Sequence, residues 1–263
     1  MIRFLLKLPI FKRIIPSLST KFFKFFKKNR NYFKVKNINF YLDFLDPIDR
    51  HIILYQEYES DQVFFLEEKM SQNSFTYFLD IGSNSGYYSF YFADKFKNIK
   101  IKAFEPNPDP YNRFKKTLDK NFFSNVEVFN FGLSDTDHKT QVRAMIKNGY
   151  THSNTTIVYS GSKFEDNDKD FEIKEAYFKV GDDIFSFKNE MISIKIDVEG
   201  HEIYTLKGLI NNLKNNKCLL LIEIPDQNYD EVDNFLNMIQ YKKIFKSEQR
   251  SDYIYTNIKT FNG

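Results

Sequence analysis

Short apolar β-type runs alternate with amphipathic helical stretches from Phe75 onward, which predicts an α/β fold on an open, seven-stranded, mostly parallel sheet. Two further observations shape that prediction. The apolar run in FLDIGSNSG, Phe78 to Gly86, passes at Asp80 straight into a glycine-containing turn, the grammar of a buried strand feeding a ligand loop and then a helix. Near the other end, YKKIFKS and DYIYTNI are β-rich runs separated by the polar EQRS. They predict an antiparallel hairpin closing the sheet edge.

Taken in order, the apolar runs place strands at about 76–81, 100–105, 126–131, 192–198 and 218–224. Helices fall near 86–97, 109–121, 202–214 and 228–239. Between Gly132 and Gly181 the pattern loosens into polar runs such as KNGYTHSNTT and GSKFEDNDKDFEIKE. Such an insertion is either a substrate-recognising excursion over a binding face or an ordinary β excursion at the sheet edge.

At 263 residues, 42% hydrophobic and 18% aromatic, the chain can bury a full core. It divides into a basic, aromatic extension over 1–42 and a main domain over 43–263. Residues 1–42 hold 11 Lys and Arg with no Asp or Glu, while the remainder carries 27 basic and 35 acidic residues. The extension repeats apolar residues at Phe4, Leu8, Phe11 and Ile15, but Pro9 and Pro16 interrupt it, so short helical turns are expected. Lys7 breaks the first apolar run, and neither a signal peptide nor a membrane span is predicted. Its partner is either an anionic membrane surface, touched peripherally, or the body of the protein itself. Nucleic acid is disfavoured, because phenylalanine clusters come without a recognisable reading module. The single cysteine, Cys218, lies in the apolar run KCLLLIEI and reads as a core residue. Neither disulfides nor cysteine metal sites are available, which fits a cytoplasmic location, at most peripheral on the membrane.

The candidate chemistry sits at strand ends, where open α/β sheets bind ligands. Gly82, Ser83, Asn84 and Gly86 form a GxNxG loop after Asp80, with Asn where a dinucleotide fingerprint places Gly. A nucleoside without a diphosphate is therefore the favoured ligand. Glu105 ends the second strand 25 positions after Asp80, placed to accept from a ribose diol, and Pro106 and Asn107 lead into the next helix. Gly132 and Leu133, in NFGLSD, either flank an adenine or form a simple turn. Asp197, Glu199 and His201, in IKIDVEGHE, are spaced two apart as the fourth strand ends. These three admit three readings: a general base toward an acceptor hydroxyl, ligands of a divalent cation, or caps of the next helix. Their spacing matches no diagnostic metal motif, so no metal is assigned.

As an ordered set, DIGSNSG, AFEPNPDPYNRFKKTLDKN, NFGLSD and KIDVEGHEIYTLKG closely resemble the FkbM family of S-adenosylmethionine-dependent methyltransferases, over about Tyr58 to Glu223. The resemblance implies the class I methyltransferase (Rossmann-like) fold, S-adenosylmethionine as cofactor, and O-methylation of a sugar, glycolipid, polysaccharide or related natural product. It implies that Asp80, Gly82, Asn84 and Gly86 form the methionine-side loop, that Glu105 grips the ribose, and that Asp197 lies beside the transferable methyl. Ser83 stands where the family commonly has Ala, and His201 where members often carry Ala or another residue. Tyr87 and Tyr88 are expected to help exclude water. Two rival activities remain. An NAD-dependent oxidoreductase is opposed by GxNxG and by the terminal hairpin. A nucleic-acid methyltransferase using the basic arm is opposed by DVEG standing where amino-directed enzymes carry an NPPY-like segment, and by the buried setting expected for Cys218.

Overall fold

The computed structural model describes residues 9–26, 29–147, 150–158, 171–248 and 250–261. Phe4 and Leu8 of the extension, and residues 159–170 of the polar insertion, lie outside the described residues.

The central sheet has seven strands: β3 (Tyr77–Ile81), β4 (Lys100–Phe104), β5 (Val126–Phe129), β10 (Met191–Ile196), β11 (Lys217–Glu223), β12 (Lys242–Lys246) and β13 (Asp252–Thr256). Their spatial order is β5-β4-β3-β10-β11-β13-β12. The first five run parallel, while β13 is antiparallel to both β11 and β12. The terminal hairpin is there as expected, and the arrangement is the class I methyltransferase fold that the resemblance implies. Both faces of the sheet are buried, as a parallel sheet flanked by helices requires. In β3, for example, Phe78 joins one apolar cluster with Phe90 and Phe92, while Leu79 and Ile81 join a second with Leu206 and Leu213. Cys218 is fully buried in the second cluster, as a core residue.

Helices connect the strands close to the expected places: α4 (Tyr87–Lys95), α5 (Pro108–Asn121) and α9 (Tyr229–Met238). The expected helix over 202–214 is two pieces, α7 (Glu202–Gly208) and α8 (Ile210–Asn215), with a break at Leu209. Close packing accompanies that break. A Cβ on Gly208 would fall 1.9 Å from the Ser134 carbonyl oxygen, so glycine is the residue that fits at the end of α7. The insertion is a separate four-stranded sheet, ordered β6-β9-β7-β8, from β6 (Gly132–Ser134), β7 (His138–Lys147), β8 (Tyr150–Val158) and β9 (Phe171–Val180).

The N-terminal extension also corrects an expectation. Instead of short turns it holds α1, Pro9–Phe26, an 18-residue helix with Pro16 inside. Pro16 forfeits one backbone bond, but aromatic packing holds the helix: Phe23 stacks on Phe44 with ring centroids 4.2 Å apart. A hairpin follows, β1 (Arg30–Val35) and β2 (Ile38–Asp43), with α2 (Pro47–Tyr55) and α3 (Ser60–Ser71) after it. Strand β2 therefore runs across the 42/43 boundary and lies on α5, where the Tyr41 amide donates to Thr117 Oγ1 at 2.9 Å.

Arg113 of α5, 2% exposed, anchors this N-terminal module. Its guanidinium meets Asp109 at 2.6 Å, Asp49 at 3.3 Å and Asp46 at 3.8 Å. Asp49 in turn accepts from Ser85 Oγ at 2.8 Å, within the GxNxG loop. Removing the cation would strand buried carboxylates. Arg113→Ala is expected to lower stability by roughly 3–5 kcal/mol in urea unfolding, and a loss under about 1 kcal/mol would contradict the ion network described.

Candidate active site

The site lies beyond the carboxyl ends of β3, β4 and β10. After Asp80 the backbone turns through the left-handed region at Gly82 (φ 77°), Asn84 (φ 50°) and Gly86 (φ 88°). Asparagine tolerates that region better than other non-glycine residues, which accounts for Asn84 at the middle position. Gly82 has a second constraint. A Cβ there would sit 1.8 Å from the Asp197 carbonyl oxygen, so the loop and the end of β10 touch backbone to backbone.

Glu105, just past β4, holds the loop. Its Oε2 accepts from the Asn84 amide and its Oε1 from the Asn107 amide, each at 2.8 Å. Burial pushes the carboxyl up to about 7, against the pull of those two amides. Each carboxylate oxygen has a further lone pair, so Glu105 can still accept from ligand hydroxyls. Asn107 caps α5, its side chain accepting from the Asp109 amide at 3.1 Å.

One pocket gathers most of the sequence-predicted residues. Gly82, Asn84, Glu105, Pro106, Gly132, Leu133, Asp197 and Glu199 line it together. Ile48, Ile81, Val142, Phe178 and Val198 complete the wall, and these the sequence reading missed. Ile48 comes from α2, and Val142 and Phe178 come from the insertion sheet, so none carries a local motif. Asp80, at the end of β3, and Ser83 and Gly86, in the turn after it, are not among the lining residues. Asp80 is 1% exposed, and its Oδ2 accepts from the Ser89 hydroxyl at 2.6 Å and the Ser89 amide at 3.1 Å.

Lys195 of β10 is a further missed residue. It is paired in register with Asp80 across the parallel strands. Its buried ammonium lies 3.0 Å from Asp197 Oδ2 and 3.5 Å from the Gly82 carbonyl. Burial works against that charge, but Asp197, Asp80 and Glu59 outweigh it and hold the lysine above its ordinary pKa. Lys195 is thus a fixed cation between two carboxylates. The signal for it was available: a lone lysine two positions before Asp197 in the apolar run ISIKID.

Past Ile196 the chain leaves the strand, and Glu199 (φ 50°) and Gly200 (φ 100°) turn through the left-handed region. Burial, then the charges of Asp197 and Glu202, push the Glu199 carboxyl up to about 7. Glu223, at the end of β11 and in register with Asp252 of β13, is also raised, by burial and then by Asp197 and Asp252. His201 is placed apart from these acids. Its Nε2 lies 3.0 Å from Ser134 Oγ, and its ring meets the wall residue Phe178 edge-on at 5.2 Å. Burial and the neighbouring His138 bring its pKa down to about 4, so it is neutral at pH 7. Among the described residues no group of three or more His, Cys, Asp or Glu is arranged to hold a metal ion.

The residues present fit S-adenosylmethionine. Asp80 Oδ1, Ser83 Oγ and Asn84 Oδ1 are buried polar atoms with no hydrogen-bond partner in the protein, and a bound ligand's polar groups would satisfy such atoms. Tyr87 and Tyr88 are 6% and 3% exposed beside the loop, and Tyr88 donates to Glu59 at 2.8 Å.

Comparison with known proteins agrees. A family model described as the methyltransferase FkbM domain matches residues 80–253, and the chain belongs to that family. The matched domain is a methyltransferase domain. The chain is similar to the hexuronic acid methyltransferase AglP of Haloferax volcanii, 28% identical over 158 residues. That match covers 59% of this chain, which thus spans 58% of the relative's length. Among solved structures, a putative caffeoyl-CoA O-methyltransferase from Staphylococcus aureus aligns at 11% identity and TM-score 0.47, over 91% of this chain and 98% of that one. A human methyltransferase 10 domain containing protein aligns at 10% identity and TM-score 0.47, over 92% and 95%.

Gly82→Ala forces a methyl group into the Asp197 carbonyl. Calorimetry with S-adenosylmethionine is expected to show affinity at least about tenfold weaker, as a misplaced backbone at a ligand loop implies. Unchanged affinity would refute the backbone contact as a determinant of the site.

Proposed function

We propose that this FkbM-family methyltransferase methylates a hydroxyl group of a sugar or a sugar-bearing acceptor. The observation that carries the proposal is the presence of Asp197 and Glu199 on the same wall as Gly82, Asn84 and Glu105. That arrangement puts proton-accepting carboxylates beside the residues suited to a nucleoside cofactor. S-adenosylmethionine, when bound, supplies a methyl group on a sulfonium for in-line displacement by a nucleophile. Asn84 and Glu105 would hold its polar groups, and Leu133, Pro106 and Ile48 would supply apolar wall for its base. Gly132 allows Phe178 to pack against that wall, since a Cβ there would lie 2.4 Å from the Phe178 ring.

An alcohol must lose its proton as its oxygen forms the new bond to carbon. Glu199, whose carboxyl is poised at about 7, accepts that proton in this account. Asp197, fixed by Lys195 at 3.0 Å, orients the hydroxyl. His201, neutral and bonded to Ser134, joins α7 to the insertion sheet instead of exchanging protons. The relative's printed substrate, a hexuronic acid, supports a sugar acceptor. Glu199, Glu223 and Asp252 share one neighbourhood with Asp197, a set of carboxyl groups that can hydrogen-bond the hydroxyls of a neutral sugar ring.

The sign of the pH dependence follows from Glu199. Its folded pKa is raised, so below about 7 it is protonated and cannot accept a proton. The rate with a hydroxyl acceptor is expected to rise through pH 7 and level off above it, read as S-adenosylhomocysteine formed per minute. Glu199→Gln is expected to lower kcat by about a hundredfold and to abolish the inflection, while leaving cofactor affinity unchanged. A pH-independent rate, or a Gln variant at wild-type kcat, would remove Glu199 from the reaction.

A further inference from the structure

We propose that α1 docks the protein onto an anionic lipid bilayer, lying in the plane of the interface. Ile14, Leu18, Phe22 and Phe25 recur at helical spacing and are 44%, 60%, 58% and 80% exposed. They form one stripe of large apolar side chains turned to solvent along three turns. The helix cannot simply roll that stripe inward. Phe23, about half a turn away, stacks on Phe44 at 4.2 Å and packs against Phe33 at 6.0 Å. The body of the protein therefore fixes which face points outward.

Charge selects the occupant. Pro9–Phe26 contains Lys12, Arg13, Lys21 and Lys24 and no acidic residue, and the whole of 1–42 holds 11 basic residues against none. The remainder of the chain is net acidic, so the positive charge is concentrated where the apolar stripe lies. A nucleic acid would satisfy the basic residues and leave the stripe in water. A second copy would bury the stripe but bring two helices of the same charge together. An anionic bilayer takes both, the phenylalanines entering the headgroup boundary and the lysines meeting lipid phosphates. Among the described residues no helix is long and apolar enough to cross a membrane, so α1 lies on the surface instead of spanning it.

The chain has no tryptophan, so Phe22→Trp in the full-length protein gives a single fluorescent reporter on the stripe. Vesicles of phosphatidylcholine alone and of phosphatidylcholine with phosphatidylglycerol are the probes. The expected result is a shift of emission to shorter wavelength, and co-sedimentation, with the phosphatidylglycerol vesicles alone, both weakening as salt is raised. Leu18→Ala with Phe25→Ala is expected to cut partitioning at least about tenfold, and Lys21→Gln roughly fivefold. Thermal melting of both variants should match the parent, because the altered side chains are exposed. Lys21→Gln changes no apolar packing, so it serves even if the double variant unfolds. Absence of binding, equal binding to phosphatidylcholine alone, or a stripe-dependent dimer in sedimentation velocity without vesicle binding would each overturn the proposal. An emission shift with RNA but not with vesicles would overturn it as well.

Discussion

Much of this molecule depends on one buried cation held between two strand tips. Lys195 of β10 lies in register with Asp80 of β3, and its ammonium reaches Asp197 and the Gly82 carbonyl. A buried charge is tolerated only when it is paired and hydrogen-bonded. Meeting that demand pins the end of the fourth strand to the ligand loop of the first. The Gly82 to Asp197 backbone contact then has no room for any side chain. Asp80 follows from the same demand, spending one oxygen on Ser89 and facing the lysine charge. The cation has a second effect. It offsets part of the repulsion among Asp197, Glu59 and their acidic neighbours, so several carboxylates can share one mouth.

A second network carries the N-terminal module to the same loop. Arg30 pairs with Asp43 and Asp109, Asp109 with Arg113, Arg113 with Asp49, and Asp49 with Ser85. The hairpin and α2 precede the region matched by the family, yet Ile48 of α2 lines the pocket. The site is thus completed by chain outside its central motifs. From the N-terminal side α2 provides Ile48, and from the insertion sheet come Val142 and Phe178.

The legibility of this fold in its sequence varied with how local each signal was. Strands β3, β4 and β11 were readable to within a residue or two, because long apolar runs bounded by turns have few alternatives. The Gly82 to Gly86 turn, Glu105 and Asp197 were equally readable as acids and glycines at strand ends. What could not be read was set by distant packing. The break at Leu209 goes with Gly208 fitting against Ser134, and helix α1 persists through Pro16 alongside packing between Phe23 and Phe44. His201 looked like a partner of Asp197 and Glu199 from spacing alone. The chain turns at Glu199 and Gly200, and His201 instead meets Ser134. Lys195 shows the opposite case, a charge in an apolar run whose meaning depends on the acid paired with it across the sheet.

The most direct test of the account is to find where the methyl group goes. Incubation with S-adenosylmethionine labelled in its methyl group, neutral and uronate-bearing glycan fractions, and lipid-linked glycans would be followed by linkage analysis of the labelled product. The account predicts label on a hydroxyl oxygen of a neutral sugar, with one S-adenosylhomocysteine formed per methyl transferred. Label on nitrogen, or transfer only to a uronate, would contradict it.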